Sequence, residues 1–153
     1  MIERVISGGQ TGVDRAALDV ALKLGVPCGG WCPRGRRAED GPLKEVYPLQ
    51  ETPSYDYTQR TRWNVRDSDG TVVLYKGSLS GGSALTVKLA KKHDKPCLVI
   101  DLCEDSSPEI LLDWVKRHKV RTLNVAGTRE SGSTGIYDEA CQFLGKCLVP
   151  YIR

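Results

Sequence analysis

A chain of 153 residues, 40% hydrophobic and 27% charged, has the length of one domain and enough apolar content to bury a core without a metal or a disulfide. Its 22 basic and 19 acidic residues leave a formal charge of +3, too mild to argue for a duplex nucleic-acid surface or a membrane as partner. The N-terminus shows no basic leader followed by an apolar core, and no apolar run reaches bilayer length, so the expected location is the cytoplasm.

The first run, "IERVIS" (2–7), reads as a strand and leads into "SGGQTGVD" (7–14), a loop with three glycines in five positions. Residues 14–24 then show helical periodicity, with Ala17, Leu18, Ala21 and Leu22 on one face and Gly25 as a stop signal. "VPCGGW" (26–31) reads as a short strand, followed over 33–54 by a stretch rich in proline, glycine and charge. A loop of that length is expected to be functional or mobile. A helix is expected over 57–66 and a strand over 70–75, the second bounded by the turn residues Asp67, Ser68, Asp69 and Gly70.

A second glycine loop, "KGSLSGGS" (76–83), precedes a helix over 84–93 and an almost wholly apolar strand over 96–101. The next helix, 106–119, has Ser107 as its cap, Pro108 in its first turn, and a stripe of Ile110, Leu111, Trp114 and Val115. A strand over 121–127, a third glycine-containing loop over 128–135 and a helix over 136–144 close the pattern. Strand and helix alternate throughout, which predicts an α/β fold: one Rossmann-like three-layer domain over residues 1–153, with a mostly parallel sheet of about five strands.

The six cysteines are scattered through a chain able to build its own core, so reduced thiols are expected. Cys28 and Cys32 have a spacing compatible with zinc, but no second pair completes a tetrahedral set, and no metal is predicted. In an open parallel sheet, ligands bind beyond the carboxyl ends of the strands, where all three glycine loops fall. Helix N-termini there aim backbone N–H groups and positive dipole ends at one crevice, which predicts binding of phosphate or another oxyanion. The Walker pattern is absent, and "SGGQTG" does not match the dinucleotide fingerprint. Where a dinucleotide fold would place a ribose-binding acid after the second strand, Arg34, Arg36 and Arg37 stand instead, either a second anion contact or a solvated basic loop. Asp14 reads as a helix cap or a ligand contact; Arg129 and Glu130 read as a phosphate partner with an acid/base group, or as a surface ion pair.

Together "SGGQTGVDRAALDVA", "GGWCPRGRRAEDG", "YPLQET", "RTRWNVRDSDGTVVL", "LSGGSALT" and "VAGTRESGSTGIY" resemble the putative molybdenum carrier family, the circularly permuted YpsA-like branch of the SLOG superfamily, whose fold is Rossmann-like and lysine-decarboxylase-like. The resemblance runs from Ile2 to about Leu144. It implies a homo-oligomer, dimer or tetramer, that binds a phosphorylated small molecule, either molybdenum cofactor (molybdopterin) or a nucleotide. Distant SLOG relatives bring in single-stranded nucleic-acid binding as a third class, to which the modest net charge and few aromatics give little support, and no membrane partner is expected. Carried over by motif, the ligand residues are Gly8, Gly9, Gln10, Thr11, Gly12 and Asp14; Arg34, Gly35, Arg36, Glu39 and Asp40; Ser80, Gly81, Gly82 and Ser83; and Gly127, Thr128, Arg129 and Glu130. Related LOG-type enzymes, nucleoside monophosphate phosphoribohydrolases that cleave the bond between ribose and base, resemble P-G-G-x-G-T-x-x-E at the third-strand loop. Here Ser80 replaces the proline, Ala84 and Leu85 replace the Gly-Thr pair, and Lys88 stands in place of the glutamate. A binding protein is therefore expected ahead of an N-glycosidase, for which Glu130, Glu39 and Asp14 are the candidate acids.

Overall fold

Aliphatic runs too short to bury themselves must hydrogen-bond side by side, and here they do so in parallel because a helix returns the chain between them. The computed structural model describes residues 1–104 and 107–149. In chain order its elements are β1 (Arg4–Ile6), α1 (Val13–Leu24), β2 (Cys28–Gly29), β3 (Trp31–Cys32), β4 (Gln50–Glu51), α2 (Tyr57–Arg66), β5 (Gly70–Tyr75), α3 (Gly81–Lys92), β6 (Cys97–Asp101), α4 (Pro108–His118), β7 (Thr122–Gly127), a 3₁₀ turn (Glu130–Gly132) and α5 (Ile136–Leu148). Five strands form one sheet in the order β2-β1-β7-β5-β6, every pair parallel.

Helices cover both faces, giving the three-layer Rossmann-like arrangement. On one face α5 packs on both α1 and α4, with Val13, Ala17, Trp114, Leu144 and Leu148 in the main core. On the other, α2 packs on α3 around Val65, Leu89 and Ala90. The chain leaves β1 toward β2 and leaves β5 toward β6, on opposite sides of β7. The carboxyl ends of β1, β7 and β5 thus border a topological switch point, where an open parallel sheet leaves a crevice.

Local signals placed the helix ends. Gly25 takes a left-handed conformation (φ 73°) and its N–H closes α1 on the carbonyls of Ala21 and Leu22. The Ser107 hydroxyl accepts from Glu109 N–H at the start of α4, with Pro108 in the first turn; Ser106 lies outside the described residues. Leu22 and Ile110, expected on buried faces, are 39% and 47% exposed. The remaining differences are tertiary in origin. The strand expected over 26–31 breaks at Gly30 (φ 126°), whose missing Cβ would lie 2.4 Å from Ser7 O, and the chain turns away so that β3 pairs with β4 in a separate parallel ribbon. Helix α3 begins at Gly81 rather than Ala84, and α5 runs on to Leu148, whose side chain is buried.

The stretch over 33–54 is tied down. Ala38, Leu43 and Leu49 form a small core with Leu18 and Cys32. The Arg36 guanidinium donates to the carbonyls of Leu43, Lys44, Tyr47 and Leu49, pinning the loop to itself.

Candidate functional site

A cavity of about 680 Å³ opens beyond the carboxyl ends of β1, β5 and β7. Its walls include Gly8, Gln10 and Asp14 from the first loop, Ser80 to Ser83 from the second, and Gly127, Thr128 and Arg129 from the third. The three glycine loops therefore face one hollow. Helix α2 adds Arg60, Thr61 and Asn64, and the floor includes Asn124 of β7.

The loops differ in what they offer. The first helical bond of α3 runs from Ala84 N–H to Ser80 O, and no side chain caps the helix, so the N–H groups of Gly81, Gly82 and Ser83 point out of an open N-terminus. In the first loop Gln10 N–H donates to Asp14, Thr11 N–H to Gln10 Oε1 and Val13 N–H to Thr128 O. In the third, the N–H groups of Thr128, Glu130 and Ser131 donate to Leu74 O, Thr11 Oγ1 and Glu39 Oε1. Of the three loops, the second thus leaves its helix start most open, with the positive end of the α3 dipole at the cavity wall.

The first-loop glycines answer to the protein itself. A Cβ on Gly8 would lie 2.1 Å from Arg60 Nη1, and one on Gly12 would lie 2.3 Å from Thr128 O. Gly9, left-handed at φ 79°, leaves space that the Leu43 and Leu49 methyls fill at 2.6 and 2.8 Å. Gly82, by contrast, has nothing within 4 Å of the point where a Cβ would stand and needs no unusual φ.

Behind the first loop lies a buried ion pair, Arg60 Nη1 to Asp14 Oδ2 at 3.3 Å, with both side chains 9% exposed. Burial raises the Asp14 pKa above the usual carboxylate value, with Arg60 opposing, and lowers that of Arg60, with Asp14 opposing. Sequence reasoning missed Arg60 and Asn64. The signal was a helix polar on nearly every face inside a fold that buries helices, with Arg60 and Asn64 four apart. At the rim, Lys76 pairs with Glu139 at 2.6 Å, and Arg129 reaches Glu39 at 3.7 Å.

The other expected residues lie elsewhere. Thr11, Gly12, Glu39, Asp40 and Glu130 line a neighbouring, more open hollow of about 740 Å³. Glu39 accepts from the hydroxyls of Thr11 and Ser131, the latter at 2.6 Å. Burial would raise its pKa, but these bonds and Arg129 bring the net shift below the ordinary value. The Glu130 carboxylate accepts from Gly135 and Tyr137 N–H, holding the start of α5. Asp14 caps the first loop through Gln10 N–H rather than helix α1, whose N-cap is Gly12. Asp40 accepts two bonds from Arg15, both 3.0 Å. Arg34 stacks over Tyr55, Gly35 N–H donates to Glu51, and Arg36 is engaged by its four carbonyls, so none of the three faces the cavity. Among the described residues no group of His, Cys, Asp and Glu is placed to hold a metal ion, and no helix is long and apolar enough to cross a membrane.

A family model described as the circularly permutated YpsA SLOG family matches residues 5–148. No curated protein matches the chain. Among solved structures it is similar to the crystal structure of a chain from Syntrophus aciditrophicus SB named "Putative molybdenum carrier protein", with 48% identity, a TM-score of 0.93, and coverage of 97% of this chain and 96% of that one. By the span of the family match and by this likeness in both sequence and structure, the chain belongs to the circularly permutated YpsA SLOG family.

Proposed function

We propose that this protein binds and carries a phosphorylated heterocycle, molybdenum cofactor or a nucleotide, in the cavity above β1, β7 and β5. The observation that supports this most directly is the uncapped start of α3, whose Gly81, Gly82 and Ser83 amides face a cavity of about 680 Å³. That volume lies within the range of small-molecule sites, and the amides at a helix start are matched to a phosphate. Asp14, Gln10, Arg60 and Asn64, which also line the cavity, suit the polar edge of a ring. Molybdenum cofactor would enter as cargo, held through its phosphate at the start of α3. Glycosidic cleavage has less support: Glu39 and Glu130 hold the loops and the start of α5, which leaves Asp14 as the one candidate acid that lines this cavity. The six free cysteines fit a reducing cytoplasm.

Titration calorimetry with ribose 5-phosphate and with nucleoside monophosphates tests the reading. Saturable binding is expected, and Gly82→Leu, which has room and relaxed backbone, should weaken it at least about tenfold while leaving the melting temperature unchanged or higher. Equal affinity in the folded variant would refute the placement of the phosphate.

A further inference from the structure

The two edges of the main sheet are finished differently. At one edge β2 is two residues long, follows Pro27, and gives way to Gly30, whose φ of 126° turns the chain aside. An edge that short offers a foreign strand little to pair with. At the other edge β6 runs for five residues, Cys97–Asp101, with neither proline nor lysine among them. Its sequence, "CLVID", suits a strand covered on both sides, yet among the described residues no strand lies beyond it. Val99 is 39% exposed, and Cys97 and Leu98 are only partly buried.

The peptide groups of β6 alternate in direction. Thr71 N–H donates to Pro96 O and Leu102 N–H to Tyr75 O, so the even-numbered residues from 96 to 102 turn their backbone toward β5. Those of Cys97 and Val99 therefore point outward. Cys97 packs beside Val65, Leu89 and Ala90, and Val99 follows on the same face.

This edge is its own complement. A two-fold axis through Leu98 sets Cys97 of each copy opposite Val99 of the other, and each such pair can exchange two N–H···O bonds. The same rotation brings Lys95, just before the strand, beside Asp101 at its end, so unlike charges meet at both ends of the seam. Parallel pairing in register would set like against like. Lys95 Nζ donates to Ser68 O and Asp101 Oδ1 accepts from Cys103 N–H, which keeps both side chains near the strand ends.

We propose that β6 pairs antiparallel with β6 of a second copy about this axis, joining the two sheets into one.

Sedimentation velocity and hydrogen exchange on the full chain, with no ligand added, test the pairing. A dimer is expected, with the Cys97 and Val99 amides exchanging slowly although they lie on the edge of the sheet. Val99→Lys places a charge on the seam twice, once from each copy. It should raise the dimer dissociation constant about a hundredfold or more and speed exchange at both amides, with the circular dichroism spectrum unchanged. Val99→Thr keeps the branched shape and the backbone bonds and should remain a dimer. If Val99→Lys folds poorly, dilution of the wild type still decides, because loss of the dimer must then speed both amides together. A wild type that stays monomeric over about a hundredfold range of concentration would overturn the inference. So would a dimer whose affinity and edge exchange ignore Val99→Lys, which would put the contact elsewhere. Slow exchange of the two amides in a monomer would overturn it as well, since another part of the chain would then cover the edge.

Discussion

Replacing Arg60 with methionine keeps most of the side-chain volume and removes the charge that faces Asp14. Two unit charges at 3.3 Å attract by about 5 kcal/mol at an effective dielectric near 20. Desolvation of two buried groups cancels much of that in the intact pair, but deleting one partner strands the other, and the expected loss is about 3–5 kcal/mol. For a chain of this length that lowers the melting temperature by roughly 6–20 °C. The loss should depend on pH in a particular direction. The folded-state pKa of Asp14 already lies above its ordinary 3.8, and removing Arg60 takes away the leading influence that holds it down. Ionising a group whose folded pKa is raised destabilises the fold, so the penalty grows as pH rises from the unfolded value through the folded one. The gap between wild type and Arg60→Met should therefore narrow when urea denaturation is repeated at pH 4–5 instead of pH 7. Gly8 gives an internal control, since its Cβ would collide with Arg60 at Nη1 and Cδ. Gly8→Ala should cost less in an Arg60→Ala background than in wild type, with a coupling of about 1 kcal/mol or more. A loss below about 1 kcal/mol in Arg60→Met, together with additive Gly8 and Arg60 effects, would show that the pair does not organise this wall.

Two further outcomes follow from side chains around the cavity. Cys103 is exposed and borders it, whereas burial pushes the Cys97 thiol up to about 11 and that of Cys147 up to about 12. Iodoacetamide at neutral pH should label Cys103 first and Cys147 last by peptide mass spectrometry, with ribose 5-phosphate slowing the first reaction; uniform labelling would contradict the assigned burial. Glu39 ties the first and third loops, and its folded pKa lies below the ordinary 4.5, so that tie is complete above pH 4.5 and is lost as pH falls through the lower folded value. Glu39→Gln should reproduce at pH 7 the loss of Ser131 amide protection that acid causes in wild type, read by hydrogen exchange; unchanged protection would exclude the tie.

The layers of this fold were legible because each depends on local sequence. Alternating apolar runs gave the parallel strands, Gly25 and Ser107 gave helix ends, and the glycine loops fell at one edge of the sheet as the βα order requires. What the sequence concealed was which partner each special residue serves. The glycines of "SGGQTG" read as openings for a ligand, but Gly8 and Gly12 make room for Arg60 and the Thr128 carbonyl, residues 52 and 116 positions away in the chain. Arg36 read as an anion contact or as part of a solvated basic loop, but its backbone is left-handed (φ 56°) and its guanidinium turns back onto four carbonyls of its own loop. Arg60 looked like one more charge on a polar helix, because nothing local says that α2 turns that face toward the first loop.

The distribution of charge around the cavity bears on how tightly a ligand would be held. Each cation at the wall already has a carboxylate: Arg60 has Asp14, Lys76 has Glu139, and Arg129 has Glu39. Side chains of opposite sign largely cancel within a few ångströms, so on the proposed function the pull on an incoming anion would come chiefly from dipoles that carry no counter-charge, the open amides of α3. Such a site differs from a cluster of unpaired arginines, which would hold phosphate tightly and release it slowly. For the proposed carrier, neutralised cations around a dipolar cradle would give selection by shape and hydrogen bonding with moderate affinity, the balance that handing a ligand on requires.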